Sequence, residues 1–252
     1  MNTINTISNT LATLTKLITS SPKMPVTELG FFRLKPDTSI TSPSFLANLL
    51  TAKHTCEAFT ARNSGNETAN FRWEHCIEDP ALVYYIGSWG SVAEHREAFR
   101  YSDDNKRLQR LIGAQMGIDQ YFHLELDQSK VDAAGALDTR QTTVIRHFVK
   151  PGQRGTVEKL LAARLEQLRL HFGSSDNVVG GWRIDKETDD KEELVLFVGS
   201  VSEGQQLEDG ETVLGGADAM DFFDKVERTH AVKLDVEVSE FSQTNSPYVA
   251  QT

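Results

Sequence analysis

The stretch FFRLKP at residues 31–36 is similar to a second stretch, RHFVKP, at residues 146–151. A second matching pair, YIGS at residues 85–88 and FVGS at residues 197–200, follows each of them at nearly the same distance. Self-similarity at a fixed spacing indicates an internal repeat. The 252-residue chain therefore reads as two copies of one unit joined end to end.

Each copy carries the same predicted order of elements. An apolar strand is followed by an amphipathic helix and then by a strand that contains Trp73 or Trp182. Another strand and a second helix come next, and a last strand completes the copy. In the first copy we expect this second helix at residues 91–111, beginning with a capping box of Ser91 and Glu94, and in the second copy at residues 218–228. The order βαββαβ predicts an α+β fold of two tandem ferredoxin-like units.

The boundaries and the packing of the units follow from these patterns. We predict an arm at residues 1–23 that could form a short helix, a first unit at 24–127, a linker at 128–141, a second unit at 142–243 and a tail at 244–252. Helices cover only one face of a ferredoxin-like sheet, so the other face needs a partner. We expect the two uncovered faces to pack together as an intrachain dimeric α/β barrel, with a cavity for an apolar ligand between them.

Composition and charge narrow the classes of function. Hydrophobic residues make up 39 % of the chain and charged residues 25 %, as in ordinary globular proteins. The net charge of −10 argues against nucleic-acid binding, and no apolar run approaches the roughly 20 residues of a membrane helix. The sequence shows no targeting signal, and its two cysteines suit a reducing compartment. We therefore expect a cytoplasmic protein that binds neither nucleic acid nor membrane.

Histidines and aromatic residues concentrate in the first unit. Strict alternation puts Phe71, Trp73 and His75 on one face of a strand, and Tyr121 shares a face with His123 on the last strand. A histidine on an aromatic wall can act near neutral pH as a general base on a phenol or an enol. Glycine-rich nucleotide loops and local metal-ligand spacings do not occur, so neither a cofactor nor a metal is expected.

The stretch YYIGSWGSVAEH at residues 84–95 resembles the strand-to-helix junction of the antibiotic biosynthesis monooxygenase-like group, which belongs to the dimeric α/β-barrel superfamily. Trp89, Ser91, His95 and Ser102 match the characteristic residues of that junction. Many members have a second histidine after the last of these positions, where this chain reads DNK at residues 104–106. The motif occurs in the first unit and is missing from the second.

The resemblance implies a cofactor-independent monooxygenase that acts on an aromatic or polyketide-type molecule in secondary metabolism. A base that removes a proton from such an electron-rich molecule yields a carbanion, which can react with dioxygen directly. The same base could instead drive cyclisation or isomerisation without dioxygen. The superfamily also contains non-catalytic members, so a small-molecule-binding or stress-associated protein is a further alternative.

The candidate site residues divide by role. The candidates for acid–base catalysis are His75, His123 and His95, with His75 preferred. The candidates for substrate binding are Trp73, Tyr85, Trp89, Tyr121, Phe71 and His147. The expected partner is a small aromatic or apolar molecule, and the whole chain is expected to be a monomer or a homodimer.

Overall fold

The structure, a computed structural model, describes residues 24–128, 137, 139–172, 177–186, 188, 191–199, 213–214 and 217–236. The predicted arm and tail, and most of the predicted linker, lie outside these residues. The strands are β1 (Val26–Leu34), β2 (Phe71–Cys76), β3 (Leu82–Trp89), β4 (Met116–Leu124), β5 (Gln141–Val149), β6 (Val178–Trp182), β7 (Glu192–Gly199) and β8 (Phe223–Lys233). The helices are α1 (Pro43–Ser64), a π-helical turn (Glu94–Phe99), α2 (Asp103–Ile112), α3 (Arg154–Phe172) and a 3-10 helix (Ala217–Phe222).

Helix α1 packs against the sheet with the apolar face that its sequence pattern predicts. Pro43 lies in its first turn, where proline is tolerated, and Gly65 ends it with a φ of 70°, a left-handed conformation that glycine adopts without strain. Phe45 and Leu49, four residues apart, are buried against the sheet of the first half. The Trp73 indole N–H donates to the Leu49 carbonyl oxygen at 3.1 Å, which fixes the helix over the strand.

The eight strands form one antiparallel sheet in the order β4-β1-β3-β2-β8-β5-β7-β6. The first four and the last four strands of this order repeat the same pattern, and β2 pairs with β8 where the halves meet. The two end strands, β4 and β6, are also in contact. Leu124 and Arg183 form an antiparallel bridge, and the Ile184 N–H donates to the His123 carbonyl oxygen at 2.8 Å. The halves therefore touch along two different strand pairs.

The two faces of the sheet have different surroundings. On the face covered by α1 and α2, apolar residues of the first half, including Phe45 and Trp89, form one core. On the opposite face Phe31 and Phe122 pack in one cluster with Phe197 of the second half. Large apolar side chains from both halves occupy this space. A cavity lined by five of the nine candidate residues lies on the helix-covered face of the sheet. This position corrects the expectation that the cavity would lie between the two uncovered faces.

Two segments differ from their predicted structure. The second half has a 3-10 helix up to Phe222 and then strand β8, where a helix was expected at residues 218–228. Strand β8 pairs along its length with β5 and at its end with β2, and this pairing outweighs the local helical pattern. In the first half, the helix expected at 91–111 divides into the π-helical turn and α2, because Ser102 Oγ accepts the Asn105 N–H at 3.1 Å and starts a new helix. None of the described helices is long and apolar enough to cross a membrane.

Candidate functional site

A cavity of about 200 Å³ lies between the sheet of the first half and its helices. Six aromatic side chains line it: Phe32, Trp73, Tyr85, Trp89, Phe99 and Tyr121. Glu28 and His95 are among its polar lining residues. A concave, mostly apolar pocket with a few converging polar groups is the usual form of a small-molecule site.

The strand register explains why the aromatic residues converge. Tyr121, Gly30 and Tyr85 lie side by side on β4, β1 and β3, and Trp73 on β2 lies opposite Tyr85. Glycine at position 30 leaves room for the rings, because an added Cβ would lie 2.8 Å from the Phe32 ring. Residues far apart in the sequence thus form one continuous wall.

His95 reaches the cavity from the π-helical turn. The predicted Ser91 cap is present, since the Glu94 N–H donates to Ser91 Oγ at 3.1 Å. The Glu94 carboxylate accepts the N–H of Gly90 at 2.6 Å, and not that of Ser91 as in a full capping box. The imidazole stacks on Trp89, with ring centroids 4.5 Å apart and planes 11° from parallel. Short π-helical segments are rare and occur frequently at functional sites. Here the turn and the stacking together fix the orientation of the His95 ring.

A chain of hydrogen bonds leads away from His95. Its Nδ1 lies 2.8 Å from His123 Nε2, and His123 Nδ1 lies 2.6 Å from Asp185 Oδ2. The same carboxylate oxygen accepts the backbone N–H of His123 at 2.9 Å and lies 3.1 Å from the Arg96 guanidinium. Asp185 belongs to the second half, just after β6. Two of the predicted catalytic histidines are therefore in contact, and the other half of the chain supplies their carboxylate.

A second carboxylate, Glu28, lies beside His95 on β1. Its Oε2 accepts the Trp89 indole N–H at 2.8 Å and lies 3.7 Å from His95 Nδ1. The sequence analysis missed both Glu28 and Asp185. An acidic residue within an otherwise apolar strand is a signal that could have identified Glu28. Asp185 carries no comparable signal, because its sequence context is that of an ordinary charged turn.

The protonation states of these groups suit a base next to a carboxylate. Burial lowers the pKa of His95; the Glu28 charge opposes this effect, whereas the Arg96 charge adds to it. His95 is therefore a neutral imidazole near pH 7. Burial by itself would raise the pKa of Asp185, but the hydrogen bonds from His123 and the Arg96 charge hold that pKa below its usual value. Asp185 accordingly stays ionised.

Tyr85 adds a polar atom to the aromatic wall. Its ring stacks on Phe71, with centroids 5.7 Å apart, so Phe71 supports the wall from behind. The Tyr85 hydroxyl is buried and forms no hydrogen bond of normal geometry with the described residues, although the Cys56 thiol is close to it. Burial raises the pKa of Tyr85, so the hydroxyl stays protonated and can donate to an oxygen of a ligand.

Four of the nine predicted site residues do not line the cavity. His123 contacts the lining residue His95, Phe71 stacks on the lining residue Tyr85, and His75 and His147 lie elsewhere. His75 is at the end of β2, and its Nε2 lies 3.1 Å from the Pro80 carbonyl oxygen in an exposed position. His147 is buried in the second half against Phe223, with ring centroids 5.0 Å apart. Neither ring belongs to the cavity of the first half. The structure therefore moves the preferred candidate for the base from His75 to His95.

His147 makes the stability of the protein depend on pH. Burial lowers its pKa to about 4, whereas an unfolded histidine has a pKa of about 6.5. Between these values the unfolded chain binds a proton that the folded chain does not bind. We therefore expect the free energy of unfolding to fall by up to roughly 3 kcal/mol from pH 7 to pH 4 through this residue. Chemical denaturation at both pH values measures the change.

The substitution His147→Leu tests this expectation, because it removes the titrating group and keeps an apolar side chain. The difference in stability between pH 7 and pH 4 should shrink in this variant. Exposed His54 offers a matched control, since His54→Leu should leave the difference unchanged. An unaltered pH dependence in His147→Leu would contradict the prediction.

Comparison by sequence identifies no relative: no protein-family profile matches the chain, and no curated protein matches it. Solved structures do match. A candidate monooxygenase from Lactobacillus acidophilus NCFM is 8 % identical with a TM-score of 0.51, over 83 % of this chain and 94 % of that one. A candidate monooxygenase from Fusobacterium nucleatum subsp. nucleatum is 11 % identical with a TM-score of 0.50, over 85 % and 94 % of the two chains.

Chlorite dismutase from Candidatus Nitrospira defluvii also matches, at 10 % identity and a TM-score of 0.50, over 89 % of this chain and 96 % of that one. Identities this low show the fold and leave the activity open. These structures have a ferredoxin-like fold. The chain is therefore an α+β protein with a ferredoxin-like fold, as the sequence predicted.

Proposed function

We propose that this protein is an enzyme that removes a proton from a small aromatic or enolisable molecule, with His95 as the general base. The carbanion that forms then takes an oxygen atom from dioxygen. One observation carries the proposal: a neutral imidazole lines an aromatic cavity while its Nδ1 is engaged by His123. The other ring nitrogen, Nε2, forms no hydrogen bond to any described residue. A held imidazole with one unengaged nitrogen is suited to general-base catalysis.

The cavity indicates the kind of substrate. A volume of about 200 Å³ is below the roughly 300–1,000 Å³ of typical ligand pockets, so the substrate is compact. The rings of Trp73, Tyr85 and Trp89 favour a flat, apolar molecule. A ligand oxygen that accepts from the Tyr85 hydroxyl would satisfy that buried donor. The narrower assignment, to polyketide-type substrates of secondary metabolism, rests on the resemblance of residues 84–95.

The proposed reaction converts a ring CH₂ group next to an aromatic system into a carbonyl. His95 Nε2 takes one proton, and the carbanion that forms gives an electron to dioxygen. Recombination forms a carbon–oxygen bond, and the protonated His95 returns its proton to the resulting peroxide. Loss of water breaks the O–O bond and the remaining C–H bond. The balance is one CH₂ group and one O₂ consumed, and one C=O group and one H₂O formed.

The tandem arrangement belongs to the same proposal. We infer that residues 24–127 and 142–243 are two ferredoxin-like units that form an intrachain dimeric α/β barrel. The repeated strand order and the contacts at β2–β8 and β4–β6 support this arrangement. The Trp89–His95 junction occurs in the first unit, so one barrel would hold one site of this kind.

The proposal is tested with the purified full-length chain and two ketones. Uptake of deuterium at the carbon next to the carbonyl of 1-indanone, followed by NMR without dioxygen, reports proton abstraction alone. Oxygen consumption with anthrone, together with formation of anthraquinone, reports the complete reaction. We expect the protein to accelerate both. Deuterium uptake without oxygen consumption would overturn the monooxygenase and favour an isomerase or cyclase, and binding without deuterium uptake would favour a non-catalytic protein.

A further inference from the structure

The hydrogen bonds between Asp185 and His123 define which atoms carry protons. Asp185 Oδ2 accepts from the ring Nδ1 of His123 at 2.6 Å and from its backbone N at 2.9 Å. An ionised carboxylate has no proton to donate, and Arg96 at 3.1 Å from the same oxygen favours the ionised form. The proton in the bond between Asp185 and His123 therefore belongs to His123 Nδ1.

The next bond in the chain follows from the first. With the ring proton of His123 on Nδ1, its Nε2 can accept a hydrogen bond. The contact of 2.8 Å between His123 Nε2 and His95 Nδ1 is then a hydrogen bond donated by His95. Glu28 Oε2, 3.7 Å from His95 Nδ1, is a second acceptor that favours a proton on that nitrogen. Because both His123 and Glu28 favour a proton on His95 Nδ1, the lone pair of the His95 ring is on Nε2.

The carboxylate at the start of this series of hydrogen bonds, that of Asp185, comes from the second half of the protein. Asp185 lies three residues after β6, and the Arg183 Nε–H donates to its backbone carbonyl at 2.9 Å. The Ile184 N–H between them donates to the carbonyl oxygen of His123 at 2.8 Å. The backbone contacts that join β6 to β4 therefore bring the Asp185 side chain to His123.

We propose that Asp185 is a positioning residue that the second half supplies to the first, and that it holds His95 in the tautomer with an unprotonated Nε2. Its consequence for catalysis rests on the function proposed above, whereas the tautomer itself can be observed in the resting protein. The tautomer of His95 in the first half would then depend on correct packing of the second half against it.

Long-range ¹H–¹⁵N NMR of histidine-labelled protein distinguishes the two neutral tautomers at pH 7.5. In the wild-type protein we expect both His95 and His123 to carry the proton on Nδ1, with the His95 signals assigned by their loss in His95→Gln. A wild-type His95 protonated on Nε2 would overturn the proposal.

The substitution Asp185→Ala removes the acceptor of the His123 Nδ1–H. Asp185→Asn would keep that acceptor, because its amide oxygen can accept from both nitrogens of His123. With the acceptor removed, we expect tautomers of His123 and His95 that are protonated on Nε2 to appear, and the rate of deuterium uptake by 1-indanone to fall several-fold at an unchanged KM. Asp185→Glu keeps the carboxylate and should retain part of the rate and the original tautomer. Exposed Asp224 offers the matched control, and Asp224→Ala should change neither.

The outcomes separate the two proposals. If Asp185→Ala leaves both His123 and His95 fully protonated on Nδ1, Asp185 does not set the tautomer. If the tautomers shift as expected while the wild-type protein shows no deuterium uptake, the positioning role of Asp185 is supported and the proposed function is wrong.

Discussion

Replacing His95 by glutamine is expected to lower the rate of proton abstraction in the cavity by about 10²- to 10⁴-fold, the range that a positioned general base contributes. Glutamine keeps a polar side chain of similar length that can still hydrogen-bond to His123, but it has no basic nitrogen. Deuterium uptake by 1-indanone gives the rate. Quenching of tryptophan fluorescence gives the affinity, because Trp73 and Trp89 line the cavity. We expect the affinity to stay within a few-fold of the wild type.

The matched control is His75→Gln, the same chemical change at a histidine outside the cavity. Its ring is held by the Pro80 carbonyl near the end of β2, outside the cavity, so the rate should stay near the wild-type value. If His75→Gln reduced the rate and His95→Gln did not, the general base would be His75 and the assignment to His95 would be wrong. If neither variant changed a measurable wild-type rate, general-base catalysis by these histidines would be excluded.

Replacing Phe122 by alanine is expected to lower the free energy of unfolding by about 3–5 kcal/mol, as for other large side chains in a tightly packed core. Phe122 is fully buried where the two halves meet. Its ring centroid lies 5.8 Å from that of Phe31, and the guanidinium carbons of Arg183 and Arg146 lie 4.4 Å and 5.4 Å from it. Truncation would leave a cavity and remove the aromatic face that both cations contact.

Chemical denaturation at neutral pH measures the loss of stability. Phe122→Leu keeps most of the buried volume and should lose clearly less stability than Phe122→Ala. Tyr101→Ala removes an aromatic ring that is 69 % exposed and should stay within about 0.5 kcal/mol of the wild type. A loss below about 1 kcal/mol in Phe122→Ala would show that the two halves do not share a tightly packed core.

The position of the site in only one half has a simple physical basis. The motif residues Trp89, Ser91 and His95 occur once, and they combine an aromatic stacking partner, a helix cap and an imidazole. In the second half, Val157, Trp182 and Leu194 belong to one buried apolar cluster. The second half nevertheless contributes to the site through Asp185.

Local periodicity was enough to predict much of the first half. Spacing of three and four residues indicated the buried face of α1, at Phe45 and Leu49. Strict alternation placed Trp73 and Tyr121 on faces that the structure brings together in one wall. The repeated stretches also predicted the ferredoxin-like fold. These features could be predicted because the period of a helix or a strand decides which side chains share a face.

The sequence alone therefore predicted the type and order of most elements and the residues that share a face. The tertiary structure decided on which face of the sheet the cavity lies, that residues 223–233 form a strand, and that Asp185 meets His123. Each of these depends on contacts between segments far apart in the chain, where pairing, close packing and the burial of charge outweigh local preference. Hydrophobic periodicity carries no information about which distant carboxylate will reach a given histidine.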